Sequence, residues 1–473
     1  MQTPGNSIFM AQDLADLLHH CEEFGEDPLF VYREGSLTFK EYCQQVRRIL
    51  VGLITYLNNT RPPASSDVRR TFLPEPQGRI CILNIRDQIL LAEAWTATVL
   101  SGNTACLLPD GHKIPDQLAG AYIIKDEDVQ SILQKIPAYP ETSNASLPVQ
   151  DPEAVCMIAF SSGTTSEAKG VMLTQKNLLL DTEYSIQYYR YYRGMRLVHI
   201  LPFWHLFGLA ADLLAPLHCG SSLYIPSEFE QIEALSSFRP HTINVSPAFA
   251  DVLVRLLRHS KEGKKVTGGC LERLICGGAP YAPETEKALL DLGILPCTGY
   301  GLTECSPCIS ITNGDNVHLG TAGVPLQCVR IRISHAGEIL VSGGTIMAGY
   351  YSDPEGTRQR IRDGWFHTGD LGYLDEAGNL VITGRLSSMI VLPSGKKCVP
   401  ESVEAILCQL PGISECCLSR QKKQLVLRVV SSLPAEEIRK LTDPVMVKQD
   451  LIPYTLTVQT RALARNKMGK LIR

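Results

Sequence analysis

The chain has 473 residues, 44% hydrophobic and 20% charged, with 45 basic against 49 acidic side chains and a formal net charge of −4. That length corresponds to about two to four folding units, and the composition excludes a disordered chain, a collagen-like repeat and a disulfide miniprotein. A nearly balanced charge supplies no global attraction to nucleic acid or anionic membrane, so partners must be recognised at local sites.

The first ten residues, MQTPGNSIFM, lack a basic stretch followed by an apolar core, and the expectation is a cytoplasmic protein whose 16 scattered cysteines are free thiols. Thr38 followed by Glu41 forms a capping-box pattern that opens a long apolar-periodic helix. Residues 58–77, rich in Pro, Ser and Arg, read as a surface loop. Residues 79–85 (RICILNI) read as a buried strand, 87–100 as a helix and 104–109 as the next strand. The apolar run from Ile89 to Leu100 is too short for a membrane span and is interrupted by Glu93. The alternation returns with strands at 154–160, 223–226, 242–245 and 271–276, which predicts α/β layers with largely parallel sheets. Residues 260–269 read as a further surface loop. Beyond about residue 320, short strands at 329–333, 338–341 and 380–383 suggest a β-rich subdomain. Pro400 opens a helix over 401–410, a strand follows at 425–430, and the remaining residues are Lys/Arg-rich with little apolar periodicity.

Residues 160–173, FSSGTTSEAKGVML, carry the most chemical information. A buried strand runs into Ser161, Ser162, Gly163, Thr164 and Thr165, with Lys169 four positions on. Small hydroxyl residues and glycine let N–H and O–H groups converge on an anion, and the lysine adds a point charge. Gly170 follows the lysine rather than preceding it, so this is not the common nucleotidase loop. Alone, it is equally a Ser/Thr-rich surface turn. Five further motifs follow: Gly277-Gly278-Ala279-Pro280; Gly299-Tyr300-Gly301-Leu302-Thr303-Glu304; Trp365-Phe366-His367-Thr368-Gly369-Asp370; Gly384-Arg385; and Gly469-Lys470.

In this order, and with the GEILVSGGTIMAGYY stretch at 337–351, the chain resembles the adenylate-forming superfamily from about residue 25 to its end. Fatty acyl-CoA synthetases and acyl-AMP ligases are the most similar members. The resemblance implies an α/β fold. A large N-terminal domain over 1–385, of two α/β layers plus a β-rich subdomain at about 320–385, would be followed by a small mobile α+β lid over 386–473. It implies ATP-dependent conversion of a carboxylic acid, most like a fatty acid, to an acyl-adenylate with release of pyrophosphate, then transfer to a thiol. The favoured acceptor is coenzyme A; the alternatives are a stand-alone enzyme loading an acyl or aryl acid onto the phosphopantetheine of an acyl carrier protein and, ranked below it, a degenerate nucleotide-binding homologue. No nucleic acid partner and no transmembrane segment are expected.

The same resemblance assigns residues. Ser161, Ser162, Gly163, Thr164, Thr165 and Lys169 would hold the ATP phosphates. Gly278, Ala279, Pro280, Gly299, Tyr300 and Gly301 would enclose the adenine, and Asp370 and Arg385 would meet the ribose. Thr303 would contact the α-phosphate and Glu304 would hold Mg²⁺. Lys470 would be the catalytic lysine, Arg385 and Ser387 the hinge, and Gly395 and Lys396 part of the thiol tunnel. Trp204, His205, Phe207, Gly208 and Cys276 would line the acyl pocket, with His205 gating it or orienting the carboxylate; a structural histidine is the plainer alternative. Amino-acid-activating relatives carry an aspartate in this segment; its absence here disfavours an amino acid, because a buried ammonium would lack a counter-charge.

Departures from the family pattern at Ser166, Ala168, Gln175, Ser387 and Ala464 bear on loop mobility and lid rotation rather than on the first half-reaction. The pair Cys305 and Cys308 reads as buried thiols, since no second pair stands at zinc spacing. Tyr188, Tyr189, Tyr191 and Tyr192 interleave with Arg190, Arg193 and Arg196. That pattern predicts a helix packed through its tyrosines, with docking to an acidic carrier protein as the alternative.

Overall fold

The computed structural model describes residues 9–59, 78–136, 147–160, 169–227, 230–260, 263–312, 318–392, 397–421 and 424–464. By internal contacts the chain groups into two compact units, Met1–Arg330 with Ser342–Phe366, and Ile331–Val341 with His367–Arg473. The second unit therefore includes strands on both sides of Arg385, where the sequence placed its domain boundary.

The first unit is built on two sheets. In the nine-stranded sheet, Pro28–Tyr32, Ser222–Tyr224, Arg196–Val198, Thr242–Val245, Arg273–Gly277 and Leu295–Gly301 run parallel in that order, and antiparallel strands close both edges. Thr242–Val245 is buried at all four positions, as expected of a parallel strand covered on both faces. In the six-stranded sheet, Ile80–Asn84 lies between Thr104–Leu107 and Tyr122–Lys125, and Val155–Phe160 turns back antiparallel into Gly170–Thr174.

Local signals explain the helices between these strands. Thr38 N donates to Glu41 Oε2 at 2.8 Å and Glu41 N to Thr38 Oγ1 at 3.2 Å, starting Phe39–Asn59. Asp87 caps Gln88–Leu100 through its carboxylate. That helix is buried along its whole length from Leu91 to Leu100, including Glu93, whose carboxylate faces the Gln45 amide at 2.9 and 3.2 Å. Burial drives the Glu93 pKa well up. Among the described residues, no helix is long and apolar enough to cross a membrane.

In the second unit, Glu415–Gln421, Gln424–Val430 and Tyr454–Gln459 form a three-stranded sheet. Pro400–Leu407 and Ala435–Lys448 accompany it, and Val403, Leu407, Leu418, Leu427, Ile438 and Met446 belong to its core. The helix Ala435–Lys448 and the strand Tyr454–Gln459 stand where the sequence showed little periodicity.

Two other expectations change. Residues 260–269 are not a plain surface loop: Gly263–Thr267 forms a 3₁₀ turn and Thr267 is fully buried. The tyrosine–arginine run is not one helical face either. The helix Gln175–Tyr189 ends at Arg190, which adopts φ 54°, and Arg193 then pairs with Asp27 while Arg196 Nε donates to the carbonyls of Phe238 and Arg239. Tyr189 is buried and Tyr192 is exposed. All sixteen cysteines lie outside disulfides, and both Cys305 and Cys308 are buried.

Candidate active site

Phe160 pairs with Gly170 on the antiparallel strands that flank the candidate phosphate motif. Ser161, Ser162, Gly163, Thr164 and Thr165 lie outside the described residues. Lys169 is described: its Nζ lies 3.0 Å from Asp353 Oδ2 and 4.6 Å from the centre of the Tyr350 ring. The Tyr350 hydroxyl donates to Glu304 Oε1 at 2.8 Å, and Met347 N donates to the Glu304 carbonyl at 2.9 Å. Tyr350 thus stands between Lys169, the candidate phosphate ligand, and Glu304, the candidate metal ligand.

Charge and burial set the character of this cluster. Burial pushes the Asp353 carboxyl up, but the Gly356 N–H and the Lys169 ammonium outweigh it and hold it below the usual carboxylate range. Burial and the neighbouring Glu304 carboxylate raise the Tyr350 phenol, so it remains a protonated donor. Neither Tyr350 nor Asp353 was nominated from the sequence. Both lie in or just past the AGYY stretch that carried the resemblance, which was the available signal.

The remaining motifs of the first unit gather at one sheet edge. Arg196–Val198, Thr242–Val245, Arg273–Gly277 and Leu295–Gly301 are parallel neighbours, and the segments 199–208, 278–280 and 302–304 all leave from their carboxyl ends. Open α/β sheets bind ligands outside that edge. Gly277 and Gly299 are directly paired. A Cβ on Gly277 would meet the Phe207 ring at 2.9 Å, which brings the candidate adenine loop against the candidate acyl pocket. Gly278 has φ +83°, and a Cβ there would enter open space. Ala279 and Pro280 follow it, and the Cys276 thiol, raised by burial, points to the Ala279 carbonyl at 3.6 Å.

Tight backbone approaches account for other glycines. A Cβ on Gly299 would lie 2.8 Å from the Tyr189 hydroxyl, and one on Gly301 would lie 1.7 Å from the Pro307 carbonyl. Tyr300 stands between them on the strand, and Thr303 and Glu304 open the following 3₁₀ turn. In the acyl segment, the Trp204 and His205 rings lie 6.4 Å apart, and burial lowers the His205 pKa. Gly208 faces inward on the backbone: a Cβ there would meet the Leu201 and Pro202 carbonyls at 2.4 and 2.6 Å.

The second unit presents its own part. Asp370 and Arg385 are directly opposed on paired strands, with Arg385 Nε 2.9 Å from Asp370 Oδ1. Glu338, which sequence reading did not single out, anchors this motif: its carboxylate accepts from Gly369 N at 3.0 Å and lies 2.9 Å from His367 Nδ1. Ser387 is exposed in the turn Leu386–Ser388, and Ser388 Oγ donates to Glu401 Oε1 at 2.6 Å. Gly395, Lys396 and Lys470 lie outside the described residues.

In the first unit, Lys169, Tyr350 and Glu304 fit a phosphate group with a hard divalent cation. Among the described residues no cluster of three or more His, Cys, Asp or Glu could hold a metal by itself. Glu304 is then a single carboxylate oriented by Tyr350. This suits Mg²⁺, which takes one or two carboxylates and fills its shell with phosphates and water.

Known proteins share both sequence and fold with this chain. Feruloyl-CoA synthase from Amycolatopsis sp is 30% identical over 281 residues, 55% of this chain and 55% of that protein. A long-chain-fatty-acid–CoA ligase from Salmonella typhimurium is 28% identical over 347 residues, covering 68% of this chain and 61% of the relative. The chain thus spans a little over half the length of such curated relatives. ATP-bound MatB from Rhodopseudomonas palustris superposes with a TM-score of 0.80 at 20% identity, over 97% of both chains. O-succinylbenzoate coenzyme A synthetase from Bacillus subtilis, in complex with AMP, gives 0.76 at 23% identity, again over 97% of both. At that identity the likeness establishes the α/β fold with its large N-terminal and small C-terminal parts. The family model described as AMP-binding enzyme matches residues 90–351, more than half of the sequence, and the chain belongs to that family.

Proposed function

We propose that this protein is an AMP-forming acid–thiol ligase that activates an apolar carboxylic acid, with coenzyme A as the acceptor. The observation that carries the reading is the cluster Lys169–Tyr350–Glu304, which joins a phosphate-loop cation to a candidate Mg²⁺ ligand through one side chain. A carboxylate oxygen of the acid attacks the α-phosphorus of ATP while the bond to pyrophosphate breaks. Negative charge accumulates on both reactants, so catalysis consists of positioning and charge neutralisation. Lys169 and the loop before it take the outer phosphates, Thr303 meets the α-phosphate, and Asp370 and Arg385 hold the ribose. Bound Mg²⁺ would neutralise phosphate charge beside Glu304. Lys470 stabilises the attacking carboxylate and the α-phosphate. The thiol sulfur then attacks the acyl carbon, its proton passes to solvent, and AMP leaves. The small C-terminal residues turn about Arg385 and Ser387 between the two steps, and Gly395 and Lys396 border the thiol's path.

Trp204 and Phe207 supply apolar surface to the acid, with no carboxylate in the segment to receive an ammonium. A fatty acid suits this lining. An aryl acid is the second reading, favoured by the names of the feruloyl-CoA synthase and 4-coumarate–CoA ligase relatives. ATP–pyrophosphate exchange over fatty, aryl and amino acids tests the proposal. Exchange is expected with one apolar class, and Lys470→Ala is expected to lower it by about 10²–10³-fold, as for loss of one preorganised charge contact. ATP binding without exchange for any acid would leave a nucleotide-binding homologue. Thioester formation on a carrier protein but not on coenzyme A would reassign the acceptor.

A further inference from the structure

Beneath the candidate acyl segment runs a polar chain that the proposed chemistry does not use. Asp212 is fully buried in the six-residue π-helix Leu209–Leu214, a helix form that recurs at functional sites. His199 Nδ1 lies 3.0 Å from Asp212 Oδ2, and Asn244 Nδ2 donates to Asp212 Oδ1 at 2.6 Å. The Tyr191 hydroxyl donates to Asn244 Oδ1 at 3.3 Å. On the other side of the ring, His199 Nε2 lies 3.3 Å from Gln88 Oε1, which also accepts Phe203 N–H at 3.0 Å. Gln88 Nε2 donates to the Arg86 carbonyl at 3.1 Å, so its oxygen is the atom facing inward. An amide oxygen only accepts; His199 Nε2 therefore carries a proton, and one further proton lies between Nδ1 and the Asp212 carboxyl. The His199 ring is also packed on Phe203, with centres 4.4 Å apart.

Two consequences follow. Burying a carboxylate is costly unless it is paired and hydrogen-bonded, and each Asp212 oxygen has such a partner. The chain ends on a backbone N–H one residue before Trp204 and two before His205. We propose that Gln88, His199 and Asp212 are positioning residues for acid recognition: they fix the backbone at Phe203 and thereby the placement of Trp204 and His205. This rests on the reading of residues 201–209 as the acyl pocket. It adds a control point from a helix N-terminus, Gln88, distant in sequence from that pocket. None of the three needs to touch the substrate.

Gln88→Leu is the test, since Gln88 is only partly buried and its loss leaves the Asp212 pair intact. The variant is expected to raise the KM for the acid by about fivefold, the equivalent of one net hydrogen bond. Its preference order over the acid panel should shift while the KM for ATP stays as in the wild type. Parallel rises in the KM for acid and for ATP, or no change in either, would overturn the inference. Trp204→Ala separates the two layers of argument. If it alters acid preference while Gln88→Leu does not, the positioning role fails and the pocket stands; if it alters nothing, the pocket reading itself fails.

Discussion

Lys169 is held by Asp353, a side chain with two tasks. Its Oδ1 accepts Gly356 N–H at 2.7 Å and caps the helix Pro354–Arg360, while its Oδ2 pairs with the ammonium. The pair is partly exposed, at 42% and 36%, so its own worth is small, about 0.2–1 kcal/mol. Its position matters more, because under the proposed function an incoming polyphosphate would compete for the same cation and meet the Asp353 charge. Asp353→Asn retains a capping oxygen and removes the competitor. We expect the KM for ATP to fall about two- to fivefold, in line with the strength of an exposed pair, with thermal stability unchanged. Steady-state kinetics at low salt checks this; a higher KM would mean that Asp353 helps aim Lys169 rather than competing for it. Lys169 itself was nominated as a candidate from the sequence because small residues before a lysine form a local pattern suited to an anion. Asp353 was not, since a helix-capping aspartate looks the same whether or not a cation from 184 positions away arrives beside it.

At the scale of elements, the best-read segments were those with local start signals. The capping box at Thr38 was recognisable because it is satisfied within three residues. The helix Ala435–Lys448 was missed although its buried residues Ile438, Thr442 and Met446 fall at a regular spacing of four. One of the three is a hydroxyl residue and Pro444 lies within the helix, so the apolar period was diluted. Thr442 is tolerable there because its Oγ1 meets the Tyr454 hydroxyl at 2.8 Å, a partner supplied by a strand the periodicity did not reveal. Met446 is fully buried in the core of the second unit. Met446→Ala is expected to cost about 2–5 kcal/mol, the usual range for emptying a buried side-chain site. Urea denaturation followed by a probe in the second unit measures it; a loss below about 1 kcal/mol would show that the core collapses around the gap.

For the whole molecule, buried titratable groups link stability to pH. His218 is 5% exposed, and neither ring nitrogen has a hydrogen-bond partner among the described residues. Burial, with a smaller contribution from His20, pushes its pKa down to about 3 from an ordinary 6.5. Between those values the unfolded chain holds a proton that the folded protein does not. Stability therefore falls as pH drops through this window, by up to about 1.4 kcal/mol per pH unit, and the cost vanishes above it. Glu93 acts in the opposite sense, since its pKa is raised by burial. His218→Leu isolates the histidine: its stability, measured by urea unfolding from pH 7 to pH 4, should decline less steeply than that of the wild type. Equal slopes would mean that the ring is hydrated and titrates normally.

The order of the motifs, the α/β alternation and the local caps were determined by sequence alone, because each depends on residues within a few positions or on a period of two or 3.6. The meeting of Lys169, Glu304, Tyr350 and Asp353, and the alignment of 199–208, 278–280 and 302–304 along one sheet edge, depend on strand order and register. Those are set by packing between segments far apart in the chain, about which local periodicity carries no information. The His199–Asp212 pair belongs to the same class: a histidine and an aspartate in apolar surroundings look unsupported in sequence, and only the fold brings Gln88 and Asn244 to satisfy them.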